Sequence, residues 1–199
     1  MVHILSLIPL FLLISDWIKD GLTANPIQYL TLSTGKTALQ LLTLSISITP
    51  MIFLTGMREL NPARRLLGLY AAFYATLHFS IFVGLDYFFD WELIKEAIFE
   101  KPYVLVGFGA FSILSVMAIT STKGWKRRLK KKWKPLHRLV YLAGILVTLH
   151  YIWLVKSDIR EPLIYGAIIM IFFLLRIPGV KNVVTKFKNR NDAAQISEA

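Results

Sequence analysis

One stretch of the chain, residues 136–155, constrains the fold most strongly. Its sequence, LHRLVYLAGILVTLHYIWLV, is almost unbroken in apolar side chains over 20 residues. A helix that crosses the ~30 Å hydrocarbon core of a bilayer needs about 20 such residues. Several further runs have the same character, and 55% of all residues are hydrophobic. The sequence therefore predicts an all-α, polytopic membrane protein built as one helical bundle.

Six spans are predicted, and six spans place both chain ends on the same side of the membrane. With the N-terminus inside, 17 of the 23 Lys and Arg residues fall in the inner loops, helix ends and tail. Basic residues concentrate on the cytoplasmic side, so the predicted orientation is N-in and C-in. The expected spans are about 2–18, 37–55, 66–85, 102–120, 136–155 and 163–177, in a domain of residues 1–178 that is followed by a cytoplasmic tail, 179–199.

The segments between the spans differ in character. Thr34-Gly35 is interpreted as a breaker between the first two spans. Residues 86–101 form an acidic outer loop, and residues 123–134 (KGWKRRLKKKWK) form a basic inner loop that suits anionic lipid. The absence of cysteine excludes disulfides, thiolate zinc sites and Cys-ligated iron–sulfur clusters.

Two histidines lie at matching depths inside predicted spans. His78 is 12 residues past Leu66 and His150 is 14 past Leu136, on two helices that both run from inside to outside. At ~1.5 Å per residue, both lie roughly 18–21 Å from the inner edge of the membrane core. Two neutral imidazoles at one depth on two helices suit axial ligation of haem iron from both faces. Hydrogen bonding between helices is the alternative for either histidine alone.

A third histidine, His137, lies at the inner end of the fifth span. Its counterpart on the third span, 14 residues before His78, is Arg64. The 13-residue step from His137 to His150 leaves the two about 140° apart on an ideal helix. A shared partner helix therefore requires a bend or a local irregularity in the fifth span.

Three arginines on the inner side are candidates for binding an anionic group. Arg64, Arg65 and Arg127 offer guanidinium groups suited to haem propionates or to the phosphate of a flavin mononucleotide. The sequence contains no Gly-rich nucleotide fingerprint, P-loop or HExxH motif. An internal inverted repeat, which would favour a transporter, is not evident.

Five strings carry a resemblance that covers nearly the whole chain. They are ARRLLGLYAAFYATLHFS at 63–80, AITSTKGW at 118–125, WKPLHRLVYL at 133–142, LHYIWLVKS at 149–157 and PLIYG at 162–166. The chain resembles the ferric-reductase-like transmembrane domain, shared with NADPH oxidases, in which six helices hold b-type haem between the third and fifth. It is most similar to the haem-binding membrane subunits of periplasmic methionine-sulfoxide reductase systems.

The resemblance implies specific ligands. His78 and His150 would bind an outer haem b, and His137 would be an inner-side ligand. The oxidase pattern has a second histidine on the third helix, where this chain has Arg64, so both one and two haems are compatible with the sequence. The resemblance also implies bound FMN.

The resemblance further implies an electron-transfer subunit rather than a catalytic one, in a bacterial inner membrane. The short tail leaves no room for appended flavin and nicotinamide domains, so the expected donor is quinol or a separate flavin reductase. The implied acceptor is a periplasmic molybdopterin methionine-sulfoxide reductase of the MsrP type, which repairs oxidised periplasmic proteins. The alternatives are a ferric-reductase-type cytochrome b with another acceptor, such as ferric iron, and a haem-free transporter or scaffold that uses the histidines as proton-relay groups.

Overall fold

The computed structural model describes residues 2–19, 21, 23–155 and 157–186, and all regular structure in these ranges is helical. The prediction of an all-α chain is therefore confirmed. Short 3-10 turns at Arg58–Leu60 and Lys130–Lys132 and a π turn at Phe82–Asp86 join or extend the α-helices. The α-helices are α1 (Val2–Ile18), α2 (Pro26–Thr55), α3 (Asn61–Ile81), α4 (Trp91–Glu100), α5 (Pro102–Ile119), α6 (Lys123–Leu129), α7 (Trp133–His137), α8 (Val140–Leu154), α9 (Arg160–Leu174) and α10 (Pro178–Lys186).

Three helical segments are long and apolar enough to cross a bilayer: α2, the segment 58–86 that contains α3, and α5. Two bent pairs raise this number to five if each pair is one span. The segment 123–137 meets α8 at 44°, and α9 meets α10 at 81°. Helix α1 is apolar but has only 17 residues. These helices agree with a polytopic membrane protein, and the number of six spans stays a prediction.

Helix α2 begins earlier than the predicted second span, so the interpretation of Thr34-Gly35 as a breaker was wrong. The side chain of Asn25 caps the helix by accepting a hydrogen bond from the Gln28 N–H, and Pro26 occupies the first turn. Hydroxyl groups inside this polar stretch bond to carbonyls four residues earlier, which satisfies them within the helix. These hydroxyls belong to Thr31, Thr34 and Thr37.

Two other segments contain helices that the sequence analysis did not expect. The acidic segment 86–101 includes α4, which Asp90 caps by accepting hydrogen bonds from two N–H groups of the first turn. At its end, a hydrogen bond with the Tyr87 hydroxyl raises the pKa of Lys101 above its ordinary value. The predicted tail, 179–199, is helical to Lys186 because Pro178 starts α10. Residues 187–199 of that tail lie outside the described residues.

Helix α1 is joined to α3 by one buried tyrosine. Tyr74 is fully buried, and its hydroxyl donates to the Ser6 carbonyl at 2.8 Å and accepts from the Leu10 N–H at 3.1 Å. In a regular helix these two groups of α1 would bond to each other. The tyrosine hydroxyl is inserted between them beside Pro9, a residue that disrupts helical bonding.

A proline in α2 is compensated by an arginine beyond α9. Pro50 has no N–H, so the carbonyl four residues earlier, that of Ile46, lacks its helical donor. Nη2 of Arg176 donates to this carbonyl at 2.5 Å, and Nη1 lies 3.4 Å from the Tyr141 hydroxyl. The guanidinium thus connects the inner ends of α2, α8 and α9.

The core lies between two equivalent halves, α2–α3 and α5–α8. Adding 72 to each residue number of the first half gives the corresponding residue of the second. The hydroxyls of Thr76 and Thr148 each donate to the carbonyl four residues earlier. Other equivalent positions are buried in both halves: Ala38 and Ala110, Leu42 and Leu114, Ala71 and Ala143. This is a direct repeat along the chain, which the search for inverted repeats did not find.

Candidate functional site

The structure brings His78 and His150 together between the two halves. Their ring centroids are 6.1 Å apart and their ring planes cross at 86°. His78 lies on α3, one turn before the π turn at Phe82–Asp86, and His150 lies on α8. The two histidines are equivalent positions of the repeat. Helical irregularities of this kind are frequent at functional sites.

Both rings are oriented by hydrogen bonds to backbone carbonyls. Nδ1 of His78 lies 2.8 Å from the Thr31 carbonyl oxygen, and Nδ1 of His150 lies 2.7 Å from the Tyr103 carbonyl oxygen. A carbonyl oxygen only accepts, so each Nδ1 carries the proton and donates it. Each Nε2 therefore keeps a free lone pair, which is the tautomer that metal-ligating histidines adopt. Sequence reasoning missed both carbonyls, since a backbone carbonyl carries no residue-type signal.

The separation of the rings suits a metal ion between them. Two metal–nitrogen bonds of about 2.0 Å on opposite sides of an ion would place the imidazole centroids ~6 Å apart. Within the described ranges, no cluster of three or more His, Asp or Glu side chains is available to hold a bare ion. Zinc and similar ions need three or four protein ligands. Two neutral imidazoles alone match haem iron, whose other four ligands come from the porphyrin.

Aromatic side chains surround the pair on the α5 side. The Phe79 ring stacks on Phe111 with centroids 4.7 Å apart, and Phe108 lies 5.9 Å from Phe79. The Tyr103 ring is 6.0 Å from the ring of His150. These apolar surfaces lower the dielectric around the histidines and favour their neutral forms.

A polar network lies next to the pair and links three helices. Nζ of Lys36 is 2.6 Å from one carboxylate oxygen of Glu161, and the Tyr151 hydroxyl donates to the other at 3.0 Å. Tyr151 directly follows His150, and Glu161 lies in the first turn of α9. The network therefore holds α2, α8 and α9 together near the site.

His137 lies apart from the pair in a polar and aromatic setting of its own. Its Nε2 is 3.1 Å from the Thr120 hydroxyl, and its ring stacks on Trp133 with centroids 4.0 Å apart. Trp133 in turn donates its indole N–H to the Thr120 carbonyl at 3.0 Å. The ring nitrogen that would bind iron is thus engaged with a hydroxyl, and one face of the ring is covered.

The predicted arginines have other surroundings. Both Arg64 and Arg65 are exposed, and Nη1 of Arg64 donates to the Thr49 hydroxyl at 3.2 Å. In the register of the repeat, the residue equivalent to His137 is Arg65, which like its counterpart stands 13 residues before the paired histidine. In the part of the chain that the structure describes, His137 is grouped with Thr120 and Trp133 rather than with these arginines.

Arg127 lines an open cleft at the basic segment. The cleft has a volume of about 660 Å³. The guanidinium of Arg128 lies 5.4 Å from the centroid of the Trp125 ring. Two guanidinium groups beside an aromatic ring suit an anionic, partly aromatic ligand. The lining residues are Thr122, Gly124, Trp125, Arg127 and Arg128.

Comparison with known proteins places the chain. Residues 31–148 match the family described as "Ferric reductase like transmembrane component". A relative from Xanthomonas axonopodis pv. citri, named "Protein-methionine-sulfoxide reductase heme-binding subunit MsrQ", is 46% identical over 159 residues, which cover 80% of this chain and 73% of the relative. A relative of the same name from Xanthomonas oryzae pv. oryzae is 47% identical over 153 residues, or 77% of this chain and 70% of the relative.

A more distant genus gives the same name over a longer match. The relative from Herminiimonas arsenicoxydans, also named MsrQ, is 41% identical over 180 residues, which cover 89% of this chain and 83% of the relative. The matches extend over both halves of the repeat and thus over both paired histidines. The chain belongs to the ferric-reductase-like transmembrane family, and within it to the MsrQ group.

Proposed function

We propose that this chain is the haem b-binding membrane subunit of a periplasmic methionine-sulfoxide reductase system. The observation that carries the proposal is the His78–His150 pair, with each Nδ1–H bonded to a carbonyl and each Nε2 free. The names of the MsrQ relatives supply the haem and the reductase. The chain is proposed as an electron-transfer subunit and not as the subunit that reduces methionine sulfoxide.

Bound haem supplies one-electron redox chemistry, and the chain's residues determine the conditions for it. His78 and His150 hold iron from two helices and keep it six-coordinate. The carbonyls of Thr31 and Tyr103 fix the tautomer of each ring and raise its basicity, which favours ferric over ferrous iron. The phenylalanines of α3 and α5 exclude water, which raises the energy of the charged states in the site.

The proposal assigns one haem. His137 does not fit as an iron ligand in the arrangement described, since its Nε2 meets the Thr120 hydroxyl and its ring is covered by Trp133. We assign it instead to the organisation of the inner end of α8. FMN enters on the resemblance alone, and the cleft beside Arg127 and Arg128 offers its phosphate two guanidinium groups.

The proposed route runs from the cytoplasmic face to the periplasm. The bundle lies in a bacterial inner membrane with six spans and both termini inside, as the charge distribution predicts. It takes electrons from quinol or a cytoplasmic flavin reductase. It passes them to a periplasmic MsrP-type molybdopterin reductase, with which it forms a heterodimer that repairs oxidised proteins.

The description of the matched family favours a second candidate acceptor, ferric iron. To separate the two, the purified full-length protein is reduced anaerobically with one equivalent of dithionite. It is then mixed with an MsrP-type reductase plus methionine sulfoxide, or with ferric citrate. The proposal predicts oxidation of the cytochrome that requires both the reductase and the sulfoxide, at a rate above that with ferric citrate. Fast oxidation by ferric citrate alone, and none by the reductase, would establish the second candidate.

A further inference from the structure

Two glycines contact the paired histidines at equivalent positions of the repeat. Gly35 lies on α2 against the His78 ring, and Gly107 lies on α5 against the His150 ring. Each glycine stands 43 residues before its histidine and four residues after the carbonyl that binds Nδ1. The same three elements, a carbonyl, a glycine one turn later and a histidine, thus occur once in each half.

The space above each glycine is already occupied by imidazole. A Cβ atom added at Gly107 would lie 2.6 Å from Nδ1 and 2.8 Å from Cε1 of His150. A Cβ atom added at Gly35 would lie 3.0 Å from Nδ1 and 3.1 Å from Cε1 of His78. Nonbonded carbon atoms make optimal contact at about 3.5–4.0 Å, so a methyl group at either position would push the ring away.

Helical economy makes these positions informative. Glycine in a helix interior costs about 1 kcal/mol relative to alanine. Two such residues at equivalent interior positions of a repeat therefore need a local reason. The close approach of each ring to the helix backbone supplies that reason, since only this approach lets Nδ1–H reach the carbonyl one turn earlier.

We propose that Gly35 and Gly107 are positioning residues that set the rotation of the two imidazole rings, and through it the crossing of their planes at the metal site. The inference rests on the proposed haem function and deepens it. Each glycine lets its histidine lie flat against the helix with Nδ1–H on the carbonyl. The 86° crossing of the two planes is the combined result of the two halves.

Gly109 provides a matched control on the same helix as Gly107. A Cβ atom added there would meet Leu146 Cδ1 at 3.7 Å, an ordinary van der Waals contact. Gly107→Ala, Gly35→Ala and Gly109→Ala are therefore compared with wild type as full-length proteins in detergent. The measurements are the EPR spectrum of the ferric protein, the midpoint potential and the affinity of the haem-stripped protein for haemin.

Wild type and Gly109→Ala are expected to give the same strongly anisotropic low-spin EPR signal, the type that crossed imidazole planes produce. Gly107→Ala is expected to shift that signal and to lower haemin affinity roughly 10-fold to 100-fold, the usual cost of disturbing a partner of a metal ligand. Gly35→Ala should shift it in the same sense but less, because its added carbon has a longer contact. If Gly107→Ala fails to fold, Gly35→Ala carries the comparison.

Unchanged EPR signal, potential and haemin affinity in a folded Gly107→Ala or Gly35→Ala protein would overturn the inference while leaving the proposed function intact. A wild-type protein without haem would instead overturn the proposed function. In that event, the ¹⁵N resonances of the His150 ring in the labelled protein test positioning directly. Gly107→Ala must shift them and Gly109→Ala must not, or the glycine assignment is wrong.

Discussion

Replacing Arg176 by methionine is expected to destabilise the bundle, because it removes the donor to a carbonyl that the helix itself cannot satisfy. Nη2 of Arg176 lies 2.5 Å from the Ile46 oxygen, which lacks a helical partner owing to Pro50. A buried acceptor left without its partner costs about 1–3 kcal/mol. The contact with the Tyr141 hydroxyl is long, at 3.4 Å, and contributes little. The expected loss from Arg176→Met is therefore about 1–3 kcal/mol.

A double-mutant cycle tests this reasoning more sharply than the single variant. Pro50→Ala restores an N–H that can bond to the Ile46 carbonyl, so in that background Arg176→Met should cost at least ~1 kcal/mol less. The free energy of unfolding is measured by reversible denaturation of the purified protein in mixed detergent micelles. The control is Arg160→Met, the same substitution at a side chain that is 89% exposed, with an expected change within about 0.5 kcal/mol.

Equal costs of Arg176→Met in the wild-type and Pro50→Ala backgrounds would refute the pairing of the proline with the arginine. A cost that disappears only in the Pro50→Ala background would support it. A large effect of Arg160→Met would show that the assay responds to lost charge in general, and the cycle would then have to be repeated at higher ionic strength.

Two further substitutions test the contacts that join the helices. Tyr74→Phe removes the hydroxyl between the Leu10 N–H and the Ser6 carbonyl, and is expected to cost about 1–2 kcal/mol and to lower Tm; an unchanged Tm would mean that α1 closes its own hydrogen bond. Glu161→Gln removes the ion pair with Lys36, whose partners are 44% and 47% exposed, so the cost should stay below about 1 kcal/mol and shrink in ~1 M salt. A salt-independent loss of several kcal/mol would contradict the partly exposed setting of this pair.

The helical class and the juxtaposition of two histidines could be predicted from the sequence, because both follow from length and rise. Counting residues along two helices gave His78 and His150 the same depth, and their rings lie 6.1 Å apart. The angular argument for His137 was less successful, because it assumed one ideal helix. The chain breaks after His137 and resumes at Val140 with a bend of 44°. No proline or glycine stands at that break to announce it.

The features that sequence reasoning missed depend on contacts between distant segments. Gly35 was interpreted as a breaker, since glycine and threonine together usually end helices. Its position inside α2 makes sense only with the His78 ring against it. Gly107 was interpreted as a packing residue, and the histidine that it contacts is 43 positions away. The repeat itself is visible mainly in burial and hydrogen bonding, with few identical residues to reveal it.

The central claim is that His78 and His150 together hold one haem b. The most direct test is a dithionite-reduced-minus-oxidised visible spectrum of the purified protein, with a pyridine haemochrome count per chain. Wild type, His78→Ala, His150→Ala and the control His3→Ala are compared. The account predicts a sharp b-type α-band and a count near one for wild type and His3→Ala. It predicts loss of the low-spin signal in each of the other two variants. A normal low-spin spectrum in His78→Ala or His150→Ala, or a colourless wild type from haem-replete cells, would contradict it.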